Sequence, residues 1–379
     1  MKLVLFYHSF CSCWNHGNAH FLRGVVRELI ALGHQVTVHE PEDGWSRTNA
    51  MRDGGAAVLK RAARLVPGVV LETYGAKPDL DRALEGADVV IVHEWTAPEL
   101  IAAIGRRRQR GSRFSLLFHD THHRAITAPS EIGDLALDGY DGVLAFGEVL
   151  REVYARRGWS RRAFTWHEGA DLALFHPMEA AEKENDLVWI GNWGDDERTR
   201  ELHDFLVRPA ARLGLRAVVH GVRYPAPVQA TLARNGIHYA GWLPNDQTPK
   251  AFSKSRLTIH VPRGPYVASL PGIPTIRVFE ALACGIPLIS APWRDEESLF
   301  PPGAYLTAAS TGEMVRAMSN VLEDRGLAAA LVQTGLDAIK SRHSCAHRAL
   351  ELLQIAKKLR QPAEIRKSIS GAPERVAAP

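Results

Sequence analysis

PGIPTIRVFEALACGIPLISAPW, running from Pro271 to Trp293, sets a short helix directly before an apolar strand. Pro274 suits the first turn of that helix, where a missing N–H goes unpaired anyway, and Gly285 suits the position just past its end. Ile276, Phe279, Leu282 and Ala283 recur at helical spacing and predict a face packed on a sheet, while PLISA reads as a buried strand. Arg277 and Glu280 are three residues apart and share neighbouring surface. A helix N-terminus favours anions through its free N–H groups and dipole, and the arginine fork suits phosphate. Glu280 supplies the complement, an acceptor pair for two adjacent sugar hydroxyls. The same residues also fit an ordinary amphipathic helix carrying a surface ion pair.

Outward from this unit, the first half alternates strand and helix signals in the manner of a covered parallel sheet: KLVLFY, the helix HFLRGVVRELIAL with its stop at Gly33, QVTVHE, DVVIVHEW, RFSLLFHD and GVLAFG. The second half restarts that grammar with LVWIGNW, the helix RTRELHDFLVRPAARL, RAVVHG, IHYAGW and LTIHV. Between them HPMEAAEKEN is rich in charge and lacks apolar periodicity. The resulting division is a first domain over 1–175, a linker over 176–186, a second domain over 187–340, a helix over 341–360 packing across the domains, and a disordered tail over 361–379. Ligands of doubly wound sheets collect outside the strands' carboxyl ends, so Ser9 to Asn18, His93-Glu94 and His119-Asp120 are expected to face one crevice.

Composition narrows the function classes. The chain has 379 residues, 46% apolar and 23% charged, with a net charge of +4, which suits a globular protein of two domains. Arg106-Arg107-Arg108 and Arg156-Arg157 lack an interleaved aromatic ladder, so no nucleic-acid partner is expected. MKLVLFYHS lacks the long apolar core of a secretory signal, no transmembrane segment is read, and a cytoplasmic location is expected. Cys11, Cys13, His16 and His20 form a compact cluster, but their spacing matches no usual zinc framework and no metal is expected. Asp79 and Asp81 precede a helix and read as capping residues. No G-x-G-x-x-G lies between the first strand and its helix, which weakens a dinucleotide-dependent dehydrogenase.

Two successive Rossmann-like halves with FEALACGIPLIS in the second resemble a GT-B glycosyltransferase over about the first 360 residues. Within that fold WNHGNAHFLRGVVRELIALGHQVTVHE, VVHGVRYP, IHYAGWLPN, the V-P-R-x-x-Y of Val261 to Tyr266 and PGIPTIRVFEA are similar to the glycosyltransferase family 1-like, spore-maturation-protein-like group. The resemblance implies an α/β GT-B fold of two Rossmann-like domains, with a nucleoside-diphosphate sugar held by the second domain and a glycan or small-molecule acceptor held mostly by the first. Glu280 would then take the ribose hydroxyls. Pro271, Gly272, Ile273, Pro274 and Thr275 would turn backbone towards the diphosphate, Arg277 or Arg263 would offset its charge, and Gly191 and Gly221 would allow close approach. His16, Gly17, Asn18, His93 and Glu94 would shape the acceptor pocket.

Two departures from that pattern bear on mechanism. Many retaining members carry a glutamate eight residues before the ribose-binding one, where this chain has Gly272. No lysine matching the usual diphosphate-binding pair follows Asn192, leaving Arg198, Arg200 or Arg223 as substitute cations. For acid–base work the HDTHH cluster is the leading candidate, with His119 as the imidazole and Asp120 either orienting His122 or His123 or acting as the base itself. The reaction expected is metal-independent sugar transfer to a hydroxyl, with no cofactor beyond the donor. A catalytically silent binding protein of the same fold and a sugar-nucleotide epimerase are the alternatives.

Overall fold

A computed structural model describes residues 1–14, 16–179, 182–194 and 196–360. The expected tail over 361–379 and part of the expected linker lie outside the described residues. Seven parallel strands form the first sheet: β1 (Lys2–Phe6), β2 (Gln35–Pro41), β3 (Val70–Tyr74), β4 (Val89–His93), β5 (Ser115–Asp120), β6 (Gly142–Ala145) and β7 (Ala163–Thr165), in the order β3-β2-β1-β4-β5-β6-β7. Six more form the second: β8 (Asn185–Ile190), β9 (Ala217–His220), β10 (Ile237–Gly241), β11 (Ser255–His260), β12 (Leu288–Ser290) and β13 (Leu306–Thr307), ordered β10-β9-β8-β11-β12-β13. Both orders reverse direction beside the first strand of their half, so each sheet has a switch point where neighbouring loops diverge and leave a crevice.

β4 is buried along its whole length, as a central parallel strand covered on both faces requires. The short strands β3, β7 and β13 were not among the expected ones; they sit at or next to sheet edges, where half-exposed side chains blur the apolar pattern. β8 begins at Asn185, inside the span read as linker. Asp79 accepts from the N–H groups of Asp81 and Arg82, and so caps the helix Leu80–Leu84. The helix read over RTRELHDFLVRPAARL contains a π segment, His203–Val207. Pro209, which cannot donate a backbone bond, stands just after it.

The helix after Thr275 starts at Ile276 and ends at Ala283, so Pro274 precedes the helix rather than occupying its first turn. Gly285 takes φ +66° beyond its end, a left-handed conformation that costs glycine little. Ile276, Phe279, Leu282 and Ala283 are buried as their spacing predicts.

Apolar packing joins the halves. One core cluster runs from Leu3, Leu5 and Phe21 through Trp166 to Val188, Phe279 and Leu352. A second holds the opposite face of the first sheet and takes in Tyr266, Leu270 and Ile273 from the second domain. The helix Arg325–Arg342 packs on Ile276–Ala283, whereas the terminal helix Cys345–Arg360 returns to the first domain and lies against Asn18–Ala31. Trp166, fully buried, donates its indole N–H to the Arg348 carbonyl at 2.9 Å and fixes that return. Among the described residues no helix is long and apolar enough to cross a membrane.

Gly24 sits where these two helices touch. A Cβ there would stand 2.5 Å from Cys345 Sγ and 2.7 Å from Asp171 Cβ. Gly24→Ala is therefore expected to lower the unfolding free energy by about 1–3 kcal/mol through overpacking. Urea denaturation checks this, and an unchanged midpoint would contradict the close approach.

Candidate functional site

Strand carboxyl ends of both sheets open into one interdomain cleft of about 270 Å³. From the first domain come His8 after β1, Gly17, Asn18 and His20 at the start of a helix, His93 ending β4, Trp95, and Thr121 with His122 after β5. From the second come Gly191 after β8, His220-Gly221 around the end of β9, Trp242-Leu243 after β10, His260 ending β11, and Val261 and Arg263 beyond it. Pro274 to Arg277 complete that wall, and Glu168, between the sheets, closes the floor.

Two helix N-termini meet here. Asn18–Ala31 and Ile276–Ala283 both start at the cleft, and Gly17 lies so close to Ile276 that any side chain would collide with it. The aligned dipoles of both helix starts favour an anion between them. Arg198, Arg263 and Arg277 line the same region. Burial lowers the Arg198 pKa to about 10, which leaves it charged at neutral pH. Its Nη atoms donate to the Val261 and Asn192 carbonyls at 2.8 and 2.7 Å, which pins the guanidinium with its Nε buried and unpartnered. Arg263 pairs with Glu197 at 2.8 Å.

The opposite wall is polar, and burial keeps its imidazoles His8, His16, His93 and His122 neutral. Asn18 is only 7% exposed, yet neither atom of its amide has a partner among the described residues. Both ring nitrogens of buried His8 are likewise unpartnered. Burial, aided by the Arg124 charge, pulls the His8 pKa down to about 4, so this imidazole is neutral at pH 7 and can accept a proton. Orphaned buried polar groups cost stability unless a ligand or water satisfies them. Trp45 and Trp95, each 41% exposed, flank His8 with ring centroids 5.8 and 6.4 Å away. His93 donates or accepts at Thr121 Oγ1 (3.1 Å), and burial also holds its pKa well down.

Of the residues singled out in the sequence, Gly191, Arg198, Gly221, Arg263, Pro274, Thr275 and Arg277 line the second-domain wall, and His16, Gly17, Asn18 and His93 the first. His119 and Asp120 do not reach the cleft. Successive strand residues point to opposite faces: His119 turns under β1 to bond the Tyr7 hydroxyl at 2.6 Å, while Asp120 accepts from Tyr154 at 2.7 Å on the other side. Both are fully buried. Glu94 also lies off the cleft, bonded to Arg124 (2.9 Å) and to the Thr121 N–H. Arg223 stands outside the lining, at φ +61°.

Pro271, Gly272 and Ile273 are not among the cleft-lining residues, and the last two lie where the domains touch. Ile273 is buried in the first domain's core against Gly147. Gly272, at φ +91°, has Glu297 where a side chain of its own would go. That glutamate accepts from the Glu148 N–H at 2.8 Å and contacts His167 Nε2 at 2.7 Å.

Glu280 is the main departure. Its side chain is 1% exposed and lies beneath the cleft, where Oε1 accepts from His20 Nδ1 (2.8 Å) and Asn245 Nδ2 (3.2 Å), and Oε2 accepts from Arg277. Burial opposes its charge, but Arg277 and His20 outweigh burial and hold its pKa below the usual carboxylate range. Here Glu280 joins the domains, with His20, Asn245 and Arg277 taking three of its acceptor positions.

Glu168 escaped sequence reading because it belongs to neither a strand end nor a motif. Burial and the nearby Glu280 charge raise its pKa to about 8, against the pull of an Ile276 backbone bond. It is a neutral acid in the cleft at pH 7. His8 was missed as well, although it directly follows the β1 apolar run, which is the signal that applies to any strand-end residue. Among the described residues no group of three or more His, Cys, Asp or Glu is arranged to hold a metal ion.

Residues 198–354 match a family model described as glycosyl transferase-like. Among solved structures, Anabaena HepE in complex with UDP and glucose superposes at TM-score 0.69 and 13% identity over 94% of this chain and 99% of that one. Sucrose-phosphate synthase from Thermosynechococcus elongatus gives 0.66 at 15% identity over 94% and 98%. T4 phage BGT in complex with its UDP-glucose substrate gives 0.58 at 11% over 95% and 99%. No curated protein sequence gives a significant match. The architecture expected from the sequence, two Rossmann-like domains of the GT-B kind, is the one these structures share. The narrower spore-maturation-like grouping finds no support in them.

Glu280→Ala is expected to cost about 3–5 kcal/mol of stability, because Arg277 and His20 lose the carboxylate that compensates them. Chemical denaturation measures this; a loss below 1 kcal/mol, about the worth of an exposed pair, would mean the pair is not buried. For Glu168 the folded pKa lies above the unfolded one. Its contribution is therefore full below the unfolded value and is lost as pH rises through about 8. Melting curves of wild type and Glu168→Gln should nearly coincide at acid pH, with the variant gaining relative stability as pH rises from the unfolded value of 4.5 to about 8 and little more above it. A constant difference across pH would contradict a neutral Glu168.

Proposed function

We propose that this chain, glycosyltransferase-like over residues 198–354 and GT-B in fold, transfers a sugar from a nucleoside-diphosphate donor to a hydroxyl of an acceptor within the interdomain cleft. The observation that carries the proposal is the asymmetry of the cleft: three arginines and a helix start on one wall, and a neutral, unpartnered His8 and Asn18 on the other.

The donor diphosphate lies at the paired helix starts, with Arg198, Arg263 and Arg277 meeting the charge that grows as it departs. These fixed cations make a metal-free route sufficient. The base of the nucleotide packs towards Trp242, Leu243 and His220, beyond Gly191 and Gly221, whose lack of side chains lets backbone approach the ligand. UDP, bound by HepE and carried by the UDP-glucose substrate of BGT, is the first nucleotide to test. Glu168, neutral in the cleft floor, donates a hydrogen bond to the leaving diphosphate. On the other wall His8 takes the proton from the acceptor hydroxyl as it attacks the sugar carbon, and Asn18 orients the acceptor. Trp95 in the cleft lining, with Trp45 on the far side of His8, offers a flat apolar face to a sugar or other ring, which supports a glycan or small-molecule acceptor. The base role read at HDTHH thus passes to the histidine after β1, and His93 supports it from beside.

Calorimetry with a panel of nucleoside diphosphates is expected to find one that binds, and Arg263→Ala to weaken it about 10- to 100-fold, as for a lost charged hydrogen bond. His8→Ala should lower kcat by about 10²–10⁴ while leaving donor affinity nearly unchanged. If no nucleoside diphosphate binds, the proposal fails. Binding without turnover or donor hydrolysis would favour the silent protein, and a changed sugar nucleotide without acceptor would favour the epimerase.

A further inference from the structure

At the switch point of the second sheet one buried imidazole is only half satisfied. His260 ends β11 and Ser290 ends β12, and the two are register partners in the parallel ladder, so their side chains emerge together. Both are buried, and His260 Nδ1 lies 3.0 Å from Ser290 Oγ. The ring stands edge-on to Trp293 and lines the cleft with Gly191, which follows the neighbouring strand β8. Its Nε2 is buried and has no partner among the described residues.

The direction of the Ser290 bond fixes the tautomer. A hydroxyl has one hydrogen to give, and that of Ser290 goes to the Ala291 carbonyl at 2.8 Å, an atom that only accepts. Ser290 Oγ therefore meets His260 with a lone pair, and Nδ1 carries the proton. Burial, with the Arg198 charge nearby, draws the His260 pKa down to about 3, so at neutral pH the ring holds that one proton and no other. Nε2 is a bare lone pair. Out of water, such a group costs stability until a donor reaches it.

An ionised phosphate is not that donor, because its oxygens also present lone pairs. A hydroxyl is. Arg198 supports the same choice: its Nη1 is fixed on the carbonyl of Val261, the residue after His260, and its Nε–H is buried and unpartnered. The wall thus keeps one acceptor and one donor open, and a hydroxyl, which both donates and accepts, satisfies the two.

Resting on the donor site of the proposed function, we infer that His260 is a specificity-determining residue whose Nε2 accepts a hydrogen bond from a sugar hydroxyl of the donor, on the ribose or on the transferred sugar. Ser290 holds the imidazole in the accepting tautomer. The arginines take the phosphates, and a neutral ring reads the hydroxyl.

Nitrogen NMR of the histidine side chains in the full chain, assigned with His260→Gln, tests the tautomer without any ligand. Nε2 of His260 is expected to be unprotonated at neutral pH, and a protonated Nε2 overturns the inference. Calorimetry then compares UDP, ADP, GDP, CDP and dTDP with the glucose conjugate of each. For the nucleotide that the wild type binds, His260→Phe should weaken binding about tenfold, as for one lost hydrogen bond. His260→Gln, whose amide oxygen accepts in place of Nε2, should stay within about threefold of the wild type. An equal loss for the free nucleotide and its conjugate assigns the hydroxyl to the ribose; a loss for the conjugate alone assigns it to the transferred sugar. If His260→Phe melts cooperatively and binds as the wild type does, or if the phenylalanine and glutamine variants lose affinity equally, this inference alone falls. If the wild type binds none of the ten ligands, the donor site itself falls with it.

Discussion

A buried carboxylate between two domains sets the terms for the rest of this structure. Glu280 sits beneath the cleft with Arg277 on its own helix, His20 from the first domain and Asn245 from the second domain around it. A charge taken out of water is tolerated only when its oxygens are fully bonded, so the domains must come together in the one relation that supplies those partners. That relation brings two helix starts face to face and leaves a cleft between them. Ile273, inserted into the first domain's core, and Glu297, bound to His167 and the Glu148 N–H, hold the same contact from its far side.

Burial then divides the cleft by charge. Arginines retain their protons even when desolvated, as Arg198 does, whereas imidazoles in the same environment give theirs up. His8 and His93 are neutral for that reason, and Glu168 is neutral because burial and Glu280 both oppose its charge. One wall stays cationic while the other offers neutral donors and acceptors. That split suits an anionic leaving group opposite an uncharged nucleophile.

Strand geometry selects which histidines take part. His93, His119 and His8 all lie at or just beyond strand carboxyl ends, the region where a doubly wound sheet gathers ligands. His93 and His8 emerge into the cleft, but His119 turns inward to Tyr7 and Trp166, since alternate residues of β5 face opposite sides of the sheet. Its neighbour Asp120 turns the other way to Tyr154. Together they form a buried polar layer behind the cleft.

Much of the fold was legible along the chain. Apolar runs ending in polar residues, the restart of that pattern after Asp186, and the periodic face of Ile276, Phe279, Leu282 and Ala283 specify two parallel sheets and the helix beneath the cleft. They do so because strand and helix periods are local properties of side-chain direction. Gly17, Asn18, Gly191 and Gly221 could be placed near one crevice for the same reason, each following a strand end or preceding a helix, whereas Arg263 came only from the family resemblance. Which carboxylate meets solvent and which is consumed inside could not be read in that way. Glu280 carries the motif yet is spent on His20, 260 residues away in the chain. Glu168 has no motif yet faces the cleft. Such roles depend on desolvation and on partners brought from distant segments. Sequence by itself determined the sheets and the edge at which chemistry gathers; the packing of one domain on the other decided which groups there keep their charge, which lose it, and which are left without a partner.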